Sequence, residues 1–360
     1  MERFVRISAA LGIAGALLLS AANAELTRED GAKSVRQKRM HCGVAAMETI
    51  LRFCGETSSD FAQDRLGLRH NARIAEYKLR YPQQNFVEQN YPAYESSEQP
   101  IMMEMLIDDG FCVISTRSSL NKDGSEVLPQ VAALMEDQLR AQHWMVIHVE
   151  AHYVAISAFD EKTREVMVND PNNPVFRNTL PLETVADPNG KWIVNSRLQV
   201  RKGWNGRFLA FWRPKDDAEK QWNAVDTCPV CREVTAGQTH QVCAKCRVYI
   251  DRRKDRSVQR GLDAIARAAG PKYQWDVSLG LLRRFRVGDP EVKDISEDAW
   301  RQALVCYPLY TKEKEKIETL ARYASRAGLD LSALKTKELE QVVTSGNRWY
   351  GMLMRYMEQY

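Results

Sequence analysis

Gln37-Lys-Arg-Met-His41-Cys42-Gly-Val-Ala-Ala-Met-Glu-Thr-Ile-Leu-Arg-Phe-Cys54-Gly55 decides how the first half of this 360-residue chain folds. Val44, Met47, Ile50, Leu51 and Cys54 recur at steps of three and four, which predicts one apolar helical stripe. Gly55 ends it, because glycine enters the left-handed conformation cheaply. Cys42 then falls on the first turn, where unpaired backbone N–H groups and the positive end of the helix dipole meet. A thiol there is biased toward thiolate, the form that attacks electrophiles. The helix alone leaves the plainer alternative open, that Cys42 is a small buried apolar residue.

Outward from this stretch, the chain is too long for one ordinary core, and two or three domains are expected. The apolar fraction of 44% and charged fraction of 27% are those of a soluble globular protein. The net charge of +4 is too mild to name a partner. Arg3 and Arg6 precede an apolar run from Ile7 to Leu19, and Ala22-Asn23-Ala24 supplies small residues for cleavage. Residues 1–24 therefore read as a secretory signal peptide, and the mature chain is expected in the periplasm or secreted. An uncleaved anchor is the alternative, although the run is short of the roughly 20 apolar residues a span requires. No other segment is apolar enough to cross a membrane.

Residues 56–100 are polar and read as irregular, with helical pieces such as Asn71 to Leu79. Helices are expected from Ile101 to Asp109 and from Pro129 to Gln142, the second opened by its proline. Strands are expected at Cys112 to Thr116, Trp144 to Val149, His152 to Phe159, Glu165 to Asn169, Lys191 to Val194 and Arg207 to Trp212. Helices followed by mostly consecutive strands make an α+β domain. Pro214 and the charged run to Lys220 close it, so that residues 25–214 form the first mature domain.

The hairpin from His152 to Pro171 supplies partners for Cys42. With the fold point at residue 161, His152 and Asp170 are equidistant from it and face each other across two strands. Opposed side chains have Cβ atoms about 4.5–5.5 Å apart, within hydrogen-bonding reach for imidazole and carboxylate. Val154, Ile156, Ala158, Val166 and Val168 share that face, and the Cys42 helix is expected to cover it. A thiol, an imidazole and a carboxylate so gathered are the parts of an activated nucleophile: His152 takes the proton and Asp170 orients the ring. Each residue alone has a plainer reading, His152 as a core histidine and Asp170-Pro171 as a turn. His148 is the weaker base, with no evident partner across the hairpin.

Gln37, Cys42-Gly43-Val44-Ala45-Ala46, Val146-Ile147-His148, His152-Tyr153-Val154, Asn169-Asp170-Pro171 and Trp204-Asn205-Gly206 together resemble cysteine peptidase family thirty-nine. This papain-like group includes peptidases that cut bacteriocin leaders after a double glycine. The resemblance runs from about residue 33 to 213 and implies a papain-like fold. It implies Cys42 as nucleophile, His152 as base, Asp170 as third member and Gln37 as side-chain oxyanion donor. Two positions depart from the family pattern. Gln37 stands five residues before the cysteine rather than six, and His41 replaces the usual acidic residue or serine. The transporter and ATPase modules of the leader peptidases are absent here, which implies a freestanding enzyme.

Cys228-Pro-Val-Cys231 and Cys243-Ala-Lys-Cys246, eleven residues apart, have metal-ligand spacing. Residues 226–250 are expected to form a small zinc-ribbon-like module with a structural Zn²⁺, two disulfides being the alternative. Arg247, Arg252, Arg253, Lys254 and Arg256 are interleaved with Asp251 and Asp255 and lack an aromatic stacking row, so no nucleic acid is expected. Residues 256–360 read as a helical C-terminal domain, with helices at 256–269, 296–306, 312–327 and 336–358 and a surface open to a protein partner. The sum is an exported cysteine peptidase acting on a peptide or protein. Two rivals remain: a peptidoglycan amidase with the same Cys–His order, and a non-catalytic binding protein.

Overall fold

The computed structural model describes residues 33–38, 41–80, 98–149, 152–173, 177–193, 200–220, 222, 227–233, 241–251, 256–269, 284, 287–288, 292–300 and 303. The segment read as a signal peptide and the helices expected at 312–327 and 336–358 lie outside these residues.

The centre is a six-stranded antiparallel sheet in the order β1-β8-β2-β3-β4-β5. Its strands are β1 (Cys112–Ser115), β2 (Met145–Val149), β3 (His152–Asp160), β4 (Glu165–Asn169), β5 (Arg177–Pro181) and β8 (Trp204–Trp212). The pairs β6 (Lys191–Ile193) with β7 (Val200–Lys202), and β9 (Gln241–Val242) with β10 (Tyr249–Ile250), form separate ribbons. Central strands are apolar on both faces because both faces are covered. Val113, Val146, Tyr153, Ala155, Leu209 and Phe211 meet one set of helices: α1 (Cys42–Phe53), α2 (Gln63–Arg80) and α3 (Gln99–Asp108). Ile114, Met145, Ile147, Val154, Ile156, Phe208 and Ala210 meet α4 (Pro129–Arg140) through Val131, Met135 and Leu139. Shorter helices α5 (Leu182–Ala186) and α6 (Asp217–Lys220) precede α7 (Ser257–Ala269). The domain is α+β, as the residue pattern predicts.

The polar region after Gly55 is more regular than expected. It contains the 18-residue helix α2, whose Arg69 and Arg73 are wholly buried. Asp109 and Asp263 bind Arg69 at 2.8 and 3.0 Å, and Asp108 and Asp263 bind Arg73 at 2.8 Å each. A helix that buries charge on one side lacks the apolar period by which amphipathic helices are recognised. Asp263 belongs to α7, so α7 is fastened to the first domain through α2.

Cys228, Cys243, Val248 and Ile250 share the core beneath β1 and β8. Val248 bridges Thr116, and the Arg117 N–H bonds the Arg247 carbonyl at 3.3 Å. The cysteine pairs are therefore packed onto the sheet, not hung from a linker.

Candidate active site

Helix α1 starts at Cys42 with no side-chain cap and no acidic residue in its first turn. Val44, Met47, Ile50 and Leu51 are buried as the stripe predicts, and Gly55 closes the helix at φ +85°. Cys54 departs from the stripe: it is the C-cap residue and is exposed.

The hairpin register differs from the symmetric expectation. Asp160 pairs with Glu165, Phe159 with Val166 and Ala158 with Met167, but Ile156 pairs with Val168 and Ala155 with Asn169. Ser157 is thus an extra residue, a bulge that shifts everything nearer the site by one. Continued from the turn without it, the ladder would set Asp170 level with Ala155, on the opposite face from His152. With it, Asp170 comes level with Val154, diagonal to His152 and on its face. The bulge, close to the turn where sequence gives no mark of it, puts the two residues on the shared face that symmetry anticipated, though diagonal and not directly opposed.

His152 Nε2 lies 2.7 Å from Asp170 Oδ1, and both residues are buried. Asp170 Oδ1 also accepts the Asn172 N–H at 2.9 Å, and the Asn172 amide nitrogen lies 3.4 Å from His152 Nε2. Engagement of Nε2 leaves Nδ1 of the ring for the Cys42 thiol, which hydrogen-bonds His152. Helix α1 does not cover the face of Val154 and Ile156, contrary to the expected packing. Those side chains meet α4, while α1 lies on the face of Tyr153 and Ala155. Cys42 reaches His152 at the first residue of β3, beyond the last β3–β4 pair, where the strands part. There the Tyr153 N–H bonds the Cys42 sulfur.

Burial is the largest influence on Cys42 and opposes its ionisation. The hydrogen bond and charge of His152, with the N–H groups of Tyr153 and Gly43, outweigh burial and hold the thiol below its ordinary value. Burial likewise opposes a charged His152, but Asp170 and Cys42 outweigh it and raise the imidazole. Opposite shifts on two groups in contact bring the thiol and the imidazole closer in proton affinity, the direction that favours proton transfer from Cys42 to His152. His148 is elsewhere: burial, then Arg207, push it down to about 3, and its ring rests against Tyr153 at 4.8 Å.

Gln37 precedes the helix, its N–H bonded to the Pro171 carbonyl at 2.8 Å and its side-chain Oε1 buried without a hydrogen bond. Cys42, His152, Asp170 and the backbone of Gln37 thus converge where the start of α1 meets the start of β3. A sequence model of the Peptidase_C39 like family matches residues 30–200, a span that holds all four.

Residues 30–200 are similar to the Peptidase_C39 like family.

No curated protein and no solved structure matches the chain. The match of this C39-like domain supports a cysteine peptidase with a peptide or protein substrate. Sequence reasoning missed Asn172 and the Tyr153 N–H beside the C39-like centre. A backbone donor carries no residue signature, and an asparagine after Asp-Pro looks like any turn residue.

The second cluster follows the C39-like domain. The sulfurs of Cys228, Cys231, Cys243 and Cys246 lie within 4.8 Å of one another, and those of Cys231 and Cys243 are 3.7 Å apart. Ligands about 2.3 Å from a tetrahedral ion stand ~3.8 Å from each other, so the four fit one metal ion. The two loops repeat one geometry. Cys228 bonds Glu233 O and Arg232 N, as Cys243 bonds Val248 O and Arg247 N. Arg232 and Arg247 both take positive φ, 60° and 62°. All described cysteines are unbridged. Among the described residues, no helix is long and apolar enough to cross a membrane.

Proposed function

We propose that the protein is an exported cysteine peptidase in which Cys42, His152 and Asp170 carry the chemistry. The observation that supports this most is the buried His152–Asp170 bond of 2.7 Å on a ring that also holds the Cys42 thiol. The Cys42 thiolate attacks the scissile carbonyl carbon. Gln37 and N–H groups at the α1 start stabilise the oxyanion. Imidazolium His152 gives its proton to the leaving amine, which departs as the tetrahedral centre collapses to a thioester. Neutral His152 then takes a proton from water, whose oxygen attacks the thioester and releases the acid and Cys42. Asp170 keeps the ring in one orientation through both halves. Mass spectrometry of a peptide library incubated with the full chain tests the reading: cleavage products are expected with the wild type and none with Cys42→Ala.

Zinc is the metal proposed for the four cysteines, with a structural role, because four sulfur ligands close a tetrahedral site and leave no position for substrate. Cys228 and Cys243 are buried in the core that supports β1 and β8. Cys243→Ser is therefore expected to release the zinc and lower the thermal midpoint by about 10 °C or more, read by metal analysis and calorimetry. Unchanged metal content and melting would remove zinc from the account. Export rests on the residues from Arg3 to Ala24. The mature chain is expected to begin at Glu25, which N-terminal sequencing after expression in a bacterium reads directly. The C-terminal helices are proposed as a protein-binding surface.

A further inference from the structure

One side chain holds the backbone on both sides of Gln37. Gln63, buried at the first position of α2, accepts the Lys38 N–H at 2.9 Å and donates its amide N–H to the Arg36 carbonyl at 2.6 Å. A carbonyl at one residue and an N–H two residues on face the same edge of an extended backbone. The N–H between them faces the other edge, and there Gln37 bonds Pro171 at 2.8 Å. Gln63 thus plays the part of a neighbouring strand, and Gln37 is the middle residue of a local ladder one residue wide.

The clamp is anchored in turn to the helix that carries Cys42. The Gln63 backbone N–H bonds Glu48 Oε2 at 2.6 Å, and Glu48 Oε1 holds Arg52 at 2.6 Å. Upstream, the Val35 N–H bonds Thr49 Oγ1 at 3.0 Å and Ser34 Oγ bonds Asn169 Oδ1 at 3.1 Å. The adjacent Lys38–Asp64 ion pair is exposed and adds little.

We propose that Gln63 is a positioning residue for catalysis: it sets the backbone that aims the Gln37 carboxamide at the substrate's carbonyl oxygen. The proposal rests on Cys42 as nucleophile and Gln37 as oxyanion donor. An oxyanion donor is effective only within about 2.7–3.1 Å of where charge develops. Gln37 lies outside any helix or strand, so its placement depends on these bonds.

Two reactions of the Cys42 thiolate separate aim from reactivity. Iodoacetamide forms a C–S bond as iodide leaves, with no oxyanion. With p-nitrophenyl acetate, sulfur adds to the carbonyl through an oxyanion, p-nitrophenolate leaves and an acetyl thioester remains. On the full chain, Gln63→Ala is expected to slow acylation ~10- to 100-fold, as Gln37→Ala does. Its alkylation rate and pH profile should stay within about twofold of wild type, because the thiolate is untouched. The double variant should acylate no more slowly than Gln37→Ala alone, because both act through one carboxamide. Gln63→Glu, which keeps the acceptor for Lys38 and loses the donor to Arg36, gives a second reading if the alanine variant misfolds; its acylation should fall between. Wild-type acylation in either Gln63 variant, or multiplicative loss in the double variant, overturns the proposal. Absence of acylation at Cys42 in the wild type itself defeats the peptidase reading on which it rests.

Discussion

Replacing Cys42 with alanine is expected to reduce peptide hydrolysis at least about a thousandfold, and His152→Ala by a similar factor. The first removes the atom that bonds the acyl carbon. The second removes the imidazolium that lowers the thiol's pKa and protonates the leaving amine. Combined, they should cost little more than either alone, because members of one catalytic unit are not additive. The pH dependence has a definite sign. Activity requires Cys42 ionised and His152 protonated, so kcat/KM should rise through the lowered Cys42 value and fall through the raised His152 value. Asp170→Asn keeps a hydrogen-bonding group and removes the charge that supports the imidazolium. Its descending limb is expected at lower pH. A residual activity in Cys42→Ala equal to wild type, on any substrate the wild type cleaves, would place the chemistry elsewhere.

Asp263→Ala is expected to be the most destabilising single change, by about 3–5 kcal/mol, because it breaks a buried ionic arrangement from one side. One carboxylate oxygen of Asp263 lies 3.0 Å from Arg69 and 2.8 Å from Arg73, and both guanidinium groups are 0% exposed. Its loss leaves these cations to Asp108 and Asp109, where Arg256 and Arg267 also bind at 3.2 and 2.6 Å. Urea denaturation should show a lower midpoint, and α7 should become open to proteases, since this cluster joins α7 to α2. Burial raises the Asp263 carboxyl, but Arg69 and Arg73 outweigh burial and hold it below the ordinary range. A carboxyl depressed by folding stabilises above its unfolded value and loses that contribution as pH falls through its folded value. Asp109, raised chiefly by burial, contributes with the opposite sign. Asp263→Asn should therefore flatten the acid side of the stability profile. Unchanged stability in Asp263→Ala would mean that α7 does not depend on the cluster.

The α1 stripe, five of the six strands of the central sheet and the chain order of Cys42, His152 and Asp170 were legible because each follows a short period or a local spacing, whereas β5 was not expected. Glu165–Asn169 was located to the residue, and β3 to within one. The layer on which α1 lies was not legible. Strands apolar on both faces give no preference between them, so the expectation that the Cys42 helix covers the face of His152 and Asp170 chose the wrong layer. The Ser157 bulge was invisible for a related reason: one unpaired residue in a buried strand looks like its neighbours. Helix α2 was legible only as the helical piece Asn71 to Leu79, because its buried Arg69 and Arg73 break the apolar period and find Asp263 from about 190 positions away. The cysteine pairs were plain from spacing, but their packing beneath β1 and β8 required the third dimension.

The account turns on whether folding makes Cys42 a thiolate through His152. The most direct measurement is the rate of iodoacetamide alkylation at each cysteine across pH, resolved by peptide mass spectrometry, in wild type and His152→Ala. The account predicts selective modification of Cys42 at a pH below that at which ordinary thiols react, ahead of exposed Cys54 and of Cys112, whose thiol burial pushes up to about 11. It also predicts that His152→Ala moves the Cys42 profile up toward that of an ordinary thiol. A Cys42 profile that already follows an ordinary thiol in the wild type, or one indifferent to His152, would contradict it.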